Sequence, residues 1–191
     1  MFKRLYWPIL ACFVIASATL NLFQMRRIAV LNDQVRRAGV RSGDTVPVGL
    51  QVRPITLTPP DGAQVVVEFS HTGGETLLYV FRPGCSWCVK NADSIRELAM
   101  RLRRSHRIIG VSLSGAGLSE YMREHDQGFD LYGIASQDTI EELNLGTTPQ
   151  VIVIGKDALV ERSWSGAFIG AVKYDIEGFF GVKLRANLAG E

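Results

Sequence analysis

Tyr79-Val80-Phe81-Arg82-Pro83-Gly84-Cys85-Ser86-Trp87-Cys88 is the stretch on which the reading of this sequence turns. An apolar, β-rich run, Thr76–Phe81, ends in a Pro-Gly turn, and two cysteines follow with two residues between them. From Cys85 to Arg104 the pattern becomes helical. Ile95, Leu98, Ala99 and Leu102 recur at helical spacing, and Arg101, Arg103 and Arg104 suit the negative end of the dipole. The CxxC therefore falls where a strand ends and a helix begins. That spacing, within one helical turn, lets two sulfurs close a small reversible disulfide. Unpaired N–H groups and the helix dipole favour a thiolate there, so Cys85 is expected to have a lowered pKa and to attack as nucleophile. Cys88, one turn further in, is expected to be shielded and to resolve the mixed disulfide. Arg82 either adds positive charge near Cys85 or stays solvated. Trp87 is either an apolar contact on a partner-facing rim or a ring tucked over the sheet.

The competing reading of the pair is half a zinc site. Tetrahedral zinc wants four ligands, and here no second CxxC exists and His71, His106 and His125 are scattered. A second signature favours redox chemistry. Gly146-Thr147-Thr148-Pro149-Gln150 runs into the apolar strand Val151–Ile154, and a proline directly before a central strand is unusual because it cannot donate to the ladder. A cis Thr148–Pro149 bond in a tight turn explains it. Such a turn would bring the Thr148 backbone beside the CxxC, where a substrate chain can pair with it as an added strand.

Around these motifs strands and helices alternate. Val65–Phe69 and Thr76–Phe81 are β-rich, with the turn-like His71-Thr72-Gly73-Gly74 between them. Arg107–Leu113 and Phe129–Ile134 read as strands, Leu118–His125 and Thr139–Leu143 as helical, and Leu159–Trp164 as the second arm of a hairpin begun by Val151–Ile154. A last helix runs from about Gly170 to Phe180. The expected class is α/β, a mixed central sheet flanked by helices.

Upstream the chain changes character. Leu5 to Met25 contains 21 residues and no charge, between Lys3-Arg4 and Arg26-Arg27. At 1.5 Å per residue this is about 30 Å, the thickness of a bilayer core. Tyr6 and Trp7 suit the interface, and Pro8 suits a first helical turn. Residues 1–25 are thus read as a single transmembrane anchor contacting the lipid bilayer through residues 5–25. The rivals are a cleaved signal peptide with Ala16-Ser17-Ala18 as its site, a lipoprotein modified at Cys12, and a buried soluble helix. Cys12 is read as an anchor residue. Ile28, Leu31, Val35 and Ala38 continue an amphipathic pattern among arginines, so residues 26–44 read as a basic stalk and linker, and residues 45–191 as the folded domain.

The length, 191 residues with 47% hydrophobic and 21% charged, excludes a disordered chain, and three cysteines are too few for a disulfide-stapled scaffold. The net charge of +2 divides unevenly. Residues 1–44 hold seven Lys/Arg against Asp33 and Asp44, a balance of +5; residues 45–191 hold fourteen against seventeen, a balance of −3. The body is therefore no nucleic-acid binder by composition.

From about residue 45 to 185 the chain resembles the thioredoxin fold. With its anchor and an extra N-terminal β-hairpin it is similar to the membrane-tethered TlpA-like thiol–disulfide oxidoreductases of bacteria. The resemblance rests on F-x-x-x-C-x-x-C (Phe81 to Cys88), on Thr148-Pro149 and on the order of elements. It implies a domain on the periplasmic side of the inner membrane that exchanges disulfides with protein thiols and is served by a membrane or soluble thiol reductant. No cofactor is implied beyond the Cys85–Cys88 disulfide. Members often reduce apocytochrome c thiols for haem attachment. The basic residues after the anchor outnumber those before it, so the positive-inside rule alone leans towards a cytoplasmic body, against the resemblance.

The sequence departs from the family at three points. Gly84 replaces the usual tryptophan, Ser86-Trp87 lacks the usual proline, and Asn91-Ala92-Asp93 replaces Glu-x-Pro. Tyr79 occupies the position of the buried aspartate of ordinary thioredoxins, leaving water, Asp93 or the partner to carry protons to Cys88. Three alternatives share the fold: a peroxiredoxin-like peroxidase, a copper-handling module using the same cysteines and a distant histidine, and a scaffold with an idle CxxC. The first lacks its proline, since Leu78 and Phe81 stand where it is needed.

Overall fold

The computed structural model describes residues 45–60, 62–70, 74–134 and 136–185, together with 17, 19–21 and 23–27. The chain divides into two units, Met1–Arg41 and Ser42–Glu191. In the first, the described residues are helical. Most of the expected anchor, and the stalk beyond Arg27, lie outside the described residues. Among those described, no helix is long and apolar enough to cross a membrane.

The second unit holds strands β1 (Ile55–Thr58), β2 (Val65–Val67), β3 (Glu75–Phe81), β4 (His106–Ser112), β5 (Asp130–Ile134), β6 (Gln150–Ile154) and β7 (Val160–Ser165). Its helices are α1 (Ser86–Leu102), α2 (Leu118–Glu124), α3 (Gln137–Glu142) and α4 (Gly170–Phe180). The strands form one mixed sheet in the order β2-β1-β5-β4-β3-β6-β7. β3, β4 and β5 run parallel, as expected of strands joined through helices, and the remaining pairs are antiparallel.

From Leu77 to Phe81, β3 is an unbroken apolar run because both its faces are covered. Leu77, Tyr79 and Phe81 face a core shared with Ile95, Leu98 and Leu102 of α1, Leu118 and Tyr121 of α2 and Ile176 of α4. Leu78 and Val80 face a second core with Val46, Val52, Ile55, Leu57, Leu143 and Leu145. Ile95 and Leu98 are fully buried, each contributing about 1.5–3 kcal/mol relative to exposure, and they fix which face of α1 meets the sheet.

The extra N-terminal hairpin is present, built from β1 and β2. β1 is absent from the sequence reading: Ile55 and Leu57 alternate with Thr56 and Thr58, but only four residues separate Pro54 from Pro59. β2 pairs with β1 and not with β3, and His71, Thr72 and Gly73 lie outside the described residues. β6 is buried along its whole length, as its apolar run predicts, and sits one strand in from the edge. Ahead of the hairpin, residues 46–52 run beside β7. The Gly49 N–H donates to the Val160 carbonyl (2.8 Å), the Val160 N–H to Leu50 (2.9 Å) and the Val52 N–H to Ala158 (2.8 Å). The Ser163 hydroxyl donates to the Val46 carbonyl at 2.6 Å.

Candidate active site

β3 delivers the chain to a turn in which the Cys85 N–H donates to the Arg82 carbonyl at 3.0 Å. Cys85 is the N-cap of α1, in extended conformation (φ −83°, ψ 111°), and its sulfur accepts the Cys88 N–H at 3.2 Å. A cap position normally goes to an oxygen-bearing side chain, so a sulfur there lies among the unpaired N–H groups of the first turn. That turn carries no acidic residue to oppose negative charge. Cys85 and Cys88 form a disulfide with Cα atoms 5.2 Å apart. Cys85 is half-buried, whereas Cys88 is fully buried.

The Thr148–Pro149 peptide is cis, as its place before β6 predicts. The Pro149 carbonyl accepts the Gly166 N–H at 2.8 Å, joining the turn to the end of β7. The Thr148 carbonyl oxygen lies 3.7 Å from the Cys85 sulfur. A separation of 63 residues thus closes into one site, with half-buried Thr148 on its surface and Pro149 buried behind it.

No family model and no curated protein matches the sequence. Solved structures do match. The thioredoxin domain of a thiol-disulfide oxidoreductase from Bacteroides vulgatus aligns with a TM-score of 0.58 at 18% identity, over 71% of this chain and 99% of that one. A secreted Mycobacterium tuberculosis disulfide oxidoreductase aligns at 0.52 and 14%, over 64% and 91%. An exposed lipoprotein thioredoxin from Streptococcus pneumoniae aligns at 0.54 and 15%, over 68% and 100%. This is a thioredoxin fold.

Within that thioredoxin fold the remaining sequence candidates separate. Trp87 is 48% exposed, and the Lys90 ammonium stands 4.8 Å from its ring centroid, so the ring lies on the outer rim. Asp93 is exposed and pairs with Arg96 at 2.7 Å, turned to solvent while Cys88 is enclosed. Tyr79 is fully buried, and burial first, then neighbouring Tyr121, pushes its phenol well above the ordinary range. It is therefore no source of protons at neutral pH.

His106 pairs with Glu75 at 3.0 Å and packs against Phe180, while His125 packs against Tyr121. His106 begins β4, whereas His125 lines a cavity that also touches Gly84. Among the described residues no group of three His, Cys, Asp or Glu is arranged to hold a metal ion.

Asn91 plays a part that its sequence position conceals. It is buried, and its side-chain oxygen accepts the Phe168 N–H at 2.9 Å. The helix that carries the cysteines is thereby tied to the segment between β7 and α4. The helical period places Asn91 on the inner face, which is the only signal the sequence offers for this role.

Proposed function

We propose that this chain is a thiol–disulfide oxidoreductase that exchanges electrons with protein thiols and disulfides through Cys85 and Cys88. The observation that carries the reading is the asymmetry of the pair: a half-buried sulfur capping a helix beside the Thr148 carbonyl, bonded to a fully buried one. In the reducing direction, the Cys85 thiolate attacks one sulfur of a partner disulfide, forming a mixed disulfide and releasing the other sulfur as a thiolate, which takes up a proton. Cys88 gives up its proton and attacks Cys85, releasing the second partner thiol and leaving the Cys85–Cys88 disulfide. Two electrons pass to the partner, with one proton from Cys88 and one from solvent. The oxidising direction is the same sequence reversed.

The helix N-terminus stabilises the Cys85 thiolate that begins the exchange. Thr148, ahead of Pro149, offers a backbone carbonyl with which an extended substrate can align, and Trp87 offers apolar contact area. The redox-active disulfide is the only group the exchange requires.

The apolar segment 5–25 tethers this domain to the inner membrane of a bacterium, with the domain on the periplasmic side. The length of the segment and the family resemblance support the tether, and a compartment where disulfides persist suits the chemistry. A membrane-impermeant thiol reagent that labels reduced Cys85 in intact cells with a permeabilised outer membrane supports this placement; labelling only after lysis overturns it.

The test of the activity is substitution. Cys85→Ser abolishes reduction of a protein disulfide such as insulin, and Cys88→Ala accumulates mixed disulfides with partners. Full exchange by Cys85→Ser sinks the proposal.

A further inference from the structure

A cavity of about 420 Å³ opens beside the redox turn. Pro83, Gly84 and Val89 form one wall, and Glu120, Tyr121 and Glu124 of α2 form the other. Its size falls within the range of sites that take small ligands, about 300–1,000 Å³, and so admits one long side chain. Gly84 is bonded to Cys85, so this wall begins one residue from the sulfur that would hold a substrate.

The lining is acidic apart from one imidazole. Glu120 and Glu124 are four residues apart on one face of α2, His125 follows with its ring 4.7 Å from that of Tyr121, and among the described residues no Lys or Arg lines the cavity. Glu120 is paired with Arg123 at 3.5 Å, both exposed. Glu124 has no ion-pair partner among the described residues. Tyr121 is 3% exposed, and its hydroxyl has no hydrogen-bond partner among the described residues. Burial pushes that phenol up to about 12, so at neutral pH Tyr121 adds no charge to the wall. The walls from Pro83 and Val89 are apolar, as the methylene stem of a long cation requires.

We propose that this cavity is a substrate subsite that receives a lysine or arginine side chain lying close in sequence to the cysteine attacked by Cys85. The inference rests on the exchange reading above and names the substrate class: cysteine-containing segments with a nearby basic residue. An extended chain advances about 3.3 Å per residue, so a cation within three residues of the cysteine reaches the cavity and one six or more residues away does not. The carboxylates of Glu120 and Glu124 supply attraction, and the stem lies against Pro83 and Val89.

The test uses the reduced protein and single-cysteine peptides activated as mixed disulfides with 5-thio-2-nitrobenzoate. Attack by Cys85 on the peptide sulfur releases the coloured thiolate, and Cys88 then frees the peptide thiol. Peptides carrying lysine two residues from the cysteine are expected to react roughly fivefold faster than those carrying glutamine there, a difference of about 1 kcal/mol. In Glu120→Gln/Glu124→Gln that ratio falls towards one, and in Glu120→Lys/Glu124→Lys it inverts. Lysine moved six residues away gives no preference, which separates the cavity from general attraction to an acidic domain. Equal rates for the near-lysine and glutamine peptides, or a preference that survives the double substitution, overturn the subsite. Failure of every peptide to react, whatever its charge, overturns the exchange reading instead.

Discussion

The Asn91 side-chain oxygen accepts the buried Phe168 N–H at 2.9 Å, fastening the helix that carries both cysteines to the segment between β7 and α4. Asn91→Ala leaves that N–H buried and unpaired, which costs about 1–3 kcal/mol. Urea denaturation of the oxidised protein is expected to show the loss as a lower midpoint. An unshifted midpoint would mean that water replaces the bond without penalty.

The burial difference within the cysteine pair predicts unequal reactivity. In the fully reduced protein, iodoacetamide modifies Cys85 at least about tenfold faster than Cys88, because only the first sulfur is both accessible and at the helix end. Mass-spectrometric mapping of a time course, which also distinguishes Cys12, measures the two rates. Equal labelling would remove the assignment of attacking and resolving roles.

Trp87 is exposed and rests on Lys90, so its removal leaves the core intact. Trp87→Ala is expected to shift stability by no more than about 0.5 kcal/mol. Its effect falls on large substrates: kcat/KM for a protein disulfide drops roughly three- to tenfold, and more than for a small aromatic disulfide. A proportionate fall for both would assign the ring to the redox pair rather than to partner contact.

Acid sensitivity has an identifiable source at the end of α4. Glu177 accepts the Leu184 N–H at 2.8 Å and lies 3.5 Å from Lys183 and 3.9 Å from Lys173. The Leu184 N–H, partly opposed by desolvation and then aided by Lys183 and Lys173, holds its carboxyl below the ordinary value of 4.5. Asp175 is lowered likewise, by hydrogen bonds from Arg162 and from the Trp164 indole. A carboxylate depressed in the folded state contributes stability that is fully present above its unfolded pKa and lost as pH falls through the folded value. Stability is therefore expected to decline on acidification between about pH 5 and pH 3. Glu177→Gln flattens part of that decline, which denaturant titrations at several pH values will show. A pH profile identical to wild type would refute the assignment.

The helix of the CxxC was legible in advance because Ile95, Leu98 and Leu102 repeat at its period, and β6 was legible because both faces of Val151–Ile154 are covered. The cis Thr148–Pro149 turn was legible because proline and an interior strand are otherwise incompatible. β1 was hidden, since four residues between prolines carry too little period-two pattern to stand out. The Asn91–Phe168 bond and the cavity wall formed by α2 were hidden for another reason. They join residues distant in sequence, and no local periodicity encodes which side chain meets which backbone N–H. Trp87 was equally compatible with a buried and an exposed ring, and only the packing of α1 decides between them.

The segment from Val46 to Val52, laced to β7, has a mechanical meaning for a tethered protein. If the chain is held ahead of residue 45 while a partner pulls on the domain, tension enters at Val46. It is taken first by the Ser163 hydroxyl and then, in shear, by the bonds that Gly49, Leu50 and Val52 make with Ala158 and Val160. Those bonds, and the packing of Val46 and Val52 in the core that Leu78 and Val80 of β3 share, spread the load over the sheet, so it does not pass along the chain into the β1–β2 hairpin until the lacing gives way. The hairpin is strain-relieved, much as a cable is clamped before its connector.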